Sequence, residues 1–253
     1  MFGLFGILLA FMALIGGNYI GGGKLVELYN PTAALIVVGG TLAASMIQAP
    51  REDFARAWRL FGWAYRADPP DFSRGMEQLR HWCLLARRKG LIALEDEANQ
   101  EPDPFVTGAL QLLADGRPPE MIRSVLEVEL VAREQRDLQA VRVIESLGGY
   151  APTLGIIGTV LGLIQVMANL GDPQTLGQGI ATAFVSTIYG VAAANLLLIP
   201  TANKIKRLVQ AWAQYHEMLM DGLVYVAEGQ NPEVIRQRLH GYLETGYATA
   251  KTS

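Results

Sequence analysis

Two threonines, Thr159 and Thr187, are the side chains best placed to do chemistry in the apolar stretch from Gly148 to Pro200. The stretch holds two long apolar segments with one charge, Asp172, between them. No Asp, Glu, His, Lys or Arg occurs from Leu147 to Gly171 or from Pro173 to Asn203. Membrane proteins that move ions usually carry an acid or base inside their spans, because an intramembrane ionisable group is costly and marks an ion path. By itself this chain is a poor proton carrier. In an ion-driven machine the titrating carboxylate must come from another chain, with the Thr159 and Thr187 hydroxyls free to hydrogen-bond an ion, a water or that carboxylate.

Charge of both signs gathers elsewhere. Arg87, Arg88 and Lys89 are followed by Gly90 to Leu94 and then by Glu95, Asp96 and Glu97. Such runs are ordinarily solvated surface, yet opposite charges on either side of a short apolar turn also suit an electrostatic docking face. Pro152 and Pro200 stand near the inner ends of the two apolar segments. Proline there either sets a kink or an end, or forms a hinge toward the cytoplasm. No nucleophile, base or metal constellation has workable spacing, so an enzyme is the least favoured class. Cys83 is the only cysteine, which excludes an intrachain disulfide and a cysteine-rich metal site. His81, His216 and His240 show no ligand spacing. Gly21-Gly22-Gly23-Lys24 lacks the Walker pattern, since Asn18 and Leu25 occupy positions that need Gly and Ser or Thr. The net charge of −3 implies no general affinity for nucleic acid.

The elements that position these residues are membrane spans. Each segment of the hairpin is long enough to cross about 30 Å of hydrocarbon, which takes about 20 apolar residues as a helix. Gly155, Gly158, Thr159 and Gly162 fall on one side of the first segment, and Ala183, Thr187, Gly190 and Ala194 on one side of the second. Small faces let helices approach closely where no hydrophobic force brings them together. They serve packing within one subunit or a surface that touches a second protein. Two further uncharged blocks, Met1 to Gly23 and Pro31 to Pro50, complete four spans. The first is read as a span rather than a signal peptide, because no basic side chain precedes Lys24. Arginines and lysines follow the second and fourth spans and precede the third, whereas the other side has only Lys24. That places the middle region, the tail and both termini in the cytoplasm.

The organisation predicted is an all-α integral membrane protein with four transmembrane helices, two of them extended into a helical cytoplasmic domain. Residues 1–50 carry spans 1 and 2, 51–146 a cytoplasmic helical domain, 147–200 spans 3 and 4, and 201–253 a helical tail. Helix breaks are expected at Asp68-Pro69-Pro70, at Glu101 to Pro104 and at Gly116 to Pro119. No breaker interrupts Glu120 to Ser146, so the third span continues below the membrane as a stalk. Beyond Pro200, Ile205, Leu208, Val209, Trp212, Tyr215 and Leu219 keep helical spacing.

Several segments carry a family resemblance: ALIVVGGTLAA from Ala34, ARRKGLIALE from Ala86, YAPTLGIIGTVLGLIQVM from Tyr150, and IYGVAAANLLLIPTANK. On these the chain resembles the flagellar motor stator A subunits, of the MotA, PomA and MotC kind, over nearly its whole length. The resemblance implies a homopentameric ring around two B subunits of the MotB, PomB or MotD type, whose helices carry the ion-binding aspartate. It implies no cofactor beyond a coupling ion, H+ or Na+, residence in the bacterial inner membrane, and torque on the rotor protein FliG. In its terms Pro152 and Pro200 match the functional prolines, Thr159 and Thr187 the positions facing the B helices, and Arg87 and Glu95 the rotor-binding pair. Gly155, Gly158, Gly162 and Gly190 are the packing glycines. An ExbB- or TolQ-like energiser of outer-membrane processes is the alternative, and a transporter with its own solute path is disfavoured by the lack of internal repeats.

Overall fold

The computed structural model describes residues 2–244, and every regular element among them is helical. Residues 245–253 of the expected tail lie outside the described residues. The chain divides into two compact units, Met1–Ala67 with Asp137–Lys206, and Asp68–Arg136 with Arg207–Ser253.

The first unit begins with α1 (Phe2–Ile20), followed by a short 3₁₀ turn (Leu25–Leu28). Asn30 then caps α2 (Pro31–Ala34), its side chain accepting from the Ala33 amide at 2.9 Å, with Pro31 at the first helical position. A π turn (Leu35–Gly39) joins α2 to α3 (Gly40–Gln48) without breaking the helix. Pro50 separates α3 from α4 (Arg51–Trp63). Along α4 and just past it, Phe54, Trp58, Phe61 and Tyr65 form a ladder of ring contacts at 5.9–6.4 Å. Trp58 stays exposed, and Arg51, Arg56 and Arg59 share the same short helix. An aromatic stripe beside arginines on an amphipathic helix is the pattern of a segment lying in the membrane interface.

α8 (Pro119–Ala168) is one helix of 50 residues and includes Pro152 in its interior. α9 (Pro173–Ala192) returns antiparallel to it and runs through a second π segment (Ala193–Leu198) into α10 (Ile199–Ala227). Among the described residues, three helical stretches are long and apolar enough to span a membrane: Leu25–Gln48, Pro119–Ala168 and Thr175–Ala227; Phe5–Ile20 is a shorter apolar helix. Large apolar side chains on them face outward, among them Leu8, Leu35, Ile156, Ile164 and Phe184. Outward-facing apolar side chains in such number suit a lipid solvent rather than water.

The second unit is built from α5 (Phe72–Lys89), a 3₁₀ turn (Leu91–Ala93), α6 (Leu94–Gln100), α7 (Pro104–Ala114), α11 (Pro232–Arg238) and the parts of α8 and α10 that fall within it. Its breaks have local causes. Asp71, Asp103 and Asn231 cap the helices that follow them, and Gly90 ends α5 at φ 86°, a conformation that favours glycine. The core is conventional, with Leu79, Leu94, Phe105, Leu110, Leu113, Ile122, Met218 and Leu223 sealed from solvent.

Candidate functional site

The glycine face of α8 packs directly against α9. A Cβ on Gly162 would come within 2.7 Å of the Ala183 amide nitrogen and the Gly179 carbonyl oxygen, and one on Gly155 within 2.9 Å of the Ser186 carbonyl oxygen. From the other side, Gly190 lies against the Ala151 carbonyl and the Gly155 backbone. Gly158 leaves room for the Ser186 side chain, whose hydroxyl donates to the Thr182 carbonyl at 2.7 Å. At Gly155, Gly162 and Gly190 the approach is backbone to backbone, so any side chain there would push the helices apart.

Within this seam the two threonines meet. Their hydroxyl oxygens are 2.6 Å apart. The Thr159 hydroxyl also lies 2.9 Å from the Ala183 carbonyl and 3.1 Å from the Gly155 carbonyl. Carbonyls only accept, so the arrangement that satisfies all groups has Thr159 donating to Ala183 and Thr187 donating to Thr159. Both residues are half-buried. With its proton directed at Thr159, the Thr187 oxygen keeps both lone pairs, so it can accept a hydrogen bond from a group that approaches the seam.

Neither proline ends a helix. Pro152 sits in the middle of α8, and its missing N–H leaves the Gly148 carbonyl without its intrahelical donor. Pro200 is the second residue of α10, directly after the π segment. Wider turns of this kind relieve the clash that a proline ring makes with the preceding turn. Beside it, the Thr201 hydroxyl is hydrogen-bonded to the Tyr65 hydroxyl, and Lys204 lies 5.3 Å from the centre of the Tyr65 ring. A proline pair that interrupts the hydrogen-bond ladder without interrupting the helix is a local softening of the backbone.

Arg87 and Glu95 lie in the second unit on either side of the Gly90 turn, Arg87 in the last turn of α5 and Glu95 in the first turn of α6. Both are exposed, and neither makes an ion pair among the described residues. Exposed Ile92 stands between them. Glu97 differs: it accepts from the Trp82 indole at 3.3 Å and lies 3.4 Å from the His81 ring, tying α6 to α5. The turn is thereby anchored from below while its charges remain available to another surface.

Sequence reasoning missed two polar arrangements. In the first unit, the Asn30 side chain donates to the Thr182 hydroxyl at 2.9 Å and the Tyr189 hydroxyl donates to the Leu28 carbonyl at 2.5 Å, tying the start of α2 to α9. In the second, Asp103 gathers His216 at 2.6 Å and Arg133 at 3.3 Å while capping α7. Burial alone would raise the Asp103 pKa. The His216 hydrogen bond and charge, the Phe105 amide and Arg133 outweigh it and hold the pKa at about 2. The only sequence signal was the Asp103-Pro104 cap.

Within residues 147–203 the two glycine-packed helices bring hydroxyls to their seam, and Asp172, between the helices, is the one charged side chain. Residues 97–218 match the model of the MotA/TolQ/ExbB proton channel family. Motility protein A of Bacillus subtilis (strain 168) is 35% identical, over 95% of this chain and 89% of its own length. Chemotaxis protein PomA of Vibrio alginolyticus is 30% identical, over 93% of this chain and 94% of its own length. The flagellar MotAB stator complex of Bacillus subtilis superposes with a TM-score of 0.86 at 35% identity, covering 95% of this chain and 94% of that one. The C. jejuni MotAB structure gives 0.88 at 25% identity, covering 95% and 94%. The chain belongs to the MotA/TolQ/ExbB proton channel family. Within it, similarity along almost the entire length places the chain among the stator A subunits.

Proposed function

We propose that the chain forms a homopentameric ring around two B-subunit helices in the bacterial inner membrane and turns ion flow into torque on FliG. The observation that carries this reading is the hairpin seam: Thr159 and Thr187 are hydrogen-bonded to each other, and no Asp, Glu, His, Lys or Arg occurs from Leu147 to Gly171 or from Pro173 to Asn203. A carboxylate from a partner helix completes the site. Four spans, α1 included, are read from the four uncharged blocks, and cytoplasmic termini from the distribution of basic residues. Arg87 and Glu95 engage the rotor, and Pro152 and Pro200 transmit the change made at the ion site. The chain itself is not an enzyme. Similarity to motility protein A over residues well outside the shared channel segment supports this over an ExbB-like role.

The test is swimming of a stator-deleted host that expresses this chain with its B partner. Arg87→Glu combined with Glu95→Lys, Pro152→Ala and Thr187→Val should each slow or stop swimming while leaving membrane levels intact. Unchanged swimming in all three would sink the assignment of the site. Swimming in sodium-free medium against swimming with a protonophore separates H+ from Na+ coupling.

A further inference from the structure

A second polar site lies in the first unit, away from the hydroxyl pair. Where α3 meets α4, a pocket of about 210 Å³ is lined by Ser45, Gln48, Asp53, Gln139, Arg142 and Ser146. Ser45 is 1% exposed, and its hydroxyl has no hydrogen-bond partner. Leaving a buried hydroxyl unpaired is costly, so a buried polar atom lining a pocket points to a ligand that pairs with it. Arg142 makes no ion pair among the described residues. Pro50, itself on the pocket wall, opens α4 without a side-chain cap, so the first amides of that 13-residue helix have no side-chain acceptor. Arginine, a buried hydroxyl and free helix amides together recognise a phosphate. Asp53, on the same pocket, would repel a simple anion and attract a cation attached to it.

Two neighbours fix where that phosphate comes from. The aromatic ladder of α4, beside Arg51, Arg56 and Arg59, has the composition of a helix at headgroup depth. On α3, directly beside Ser45, Met46 and Ile47 are 63% and 88% exposed and offer an apolar flank for acyl chains. We propose that this pocket binds the headgroup of a zwitterionic phospholipid, with the phosphate held by Arg142, Ser45 and the α4 amides and the ammonium held by Asp53. A lipid seated there joins the end of α3, the start of α4 and the adjacent turn of α8. The proposal rests on the membrane placement of α4 and not on the coupling ion or the rotor contact. A stator that swims as proposed yet binds no lipid here would separate the two.

The full-length chain purified with its B partner can be titrated with short-chain phosphatidylethanolamine, phosphatidylglycerol and inorganic phosphate, with binding read by native mass spectrometry. Phosphatidylethanolamine should bind the wild type, and Arg142→Gln should weaken it about tenfold through loss of a charge-assisted contact. Asp53→Asn should shift preference toward phosphatidylglycerol, by removing the ammonium partner and the repulsion of an anion. Arg142 is exposed, so its variant should fold, and an unchanged melting temperature verifies this for both. Equal phosphatidylethanolamine binding by wild type and Arg142→Gln would overturn the site. An unchanged lipid preference in Asp53→Asn would overturn the ammonium assignment. Displacement of the lipid by equimolar inorganic phosphate would identify a free-phosphate site and overturn the lipid assignment.

Discussion

The hairpin of α8 and α9 and the core of the second unit solve the same problem, holding helices together, with opposite side chains. In the hairpin the seam is made of Gly155, Gly158, Gly162 and Gly190, while large residues such as Ile156 and Phe184 point away from it. In the second unit the large residues, Phe105, Leu79 and Met218, point inward. Water drives the second arrangement, because burying apolar area contributes about 25 cal/mol per Å². Lipid offers no such drive, so close backbone approach and hydroxyl hydrogen bonds must replace it. The two units therefore fail in opposite ways, one when atoms are removed and the other when atoms are added.

Four substitutions put that contrast at risk. Phe105→Ala should destabilise the second unit by about 3–5 kcal/mol, since the side chain is sealed and its neighbours cannot close the cavity. Amide hydrogen exchange in α5 and α7 would show it, and unaltered exchange would mean that this core does not depend on volume. Gly190→Ala should cost up to about 3 kcal/mol, because the new methyl meets the Ala151 carbonyl and backbone has little room to yield. Gly149→Ala, on α8, meets nothing within 4 Å and serves as the control. Gly75→Ala in the second unit meets only the ends of Tyr215 and Met218 side chains, which can move. If Gly190→Ala melts in detergent with Gly149→Ala, close approach is not what holds the hairpin.

The smallest effect concerns Asp103. Its folded pKa of about 2 lies below the ordinary 3.8, so the stabilisation from its His216 and Arg133 contacts is fully present above about pH 4 and is lost as pH falls through 2. The size is on the order of 2 kcal/mol. Asp103→Asn should lower stability at neutral pH and flatten the acid limb between pH 4 and 2. An acid limb identical to wild type would assign that limb to other groups.

Much of this architecture was legible because it is local. Asp68-Pro69-Pro70, Glu101 to Pro104 and Gly116 to Pro119 fall between helices, and the unbroken run from Glu120 lies within the 50-residue α8. The small-residue faces were visible from their spacing, though not which surface they would meet. Other features depend on distance along the chain. Asp103 and His216 are 113 residues apart, and no spacing rule joins them. The aromatic ladder of α4 was hidden by its arginines, which drew attention to charge rather than to the rings between them. The π segments were invisible for another reason. Apolar periodicity assumes a constant turn, and both π segments lie in runs too uniformly apolar to reveal a change of turn.

That last feature has a geometric consequence. A wide turn accommodates one residue more than a regular one, and at 3.6 residues per turn each residue is worth about 100° of rotation. The segment Ala193–Leu198 therefore acts as a phase shifter between the glycine seam of α9 and the stripe of Thr201, Ala202 and Ile205 that α10 buries. Removing one residue there would leave a sound helix with every later side chain turned to a different neighbour.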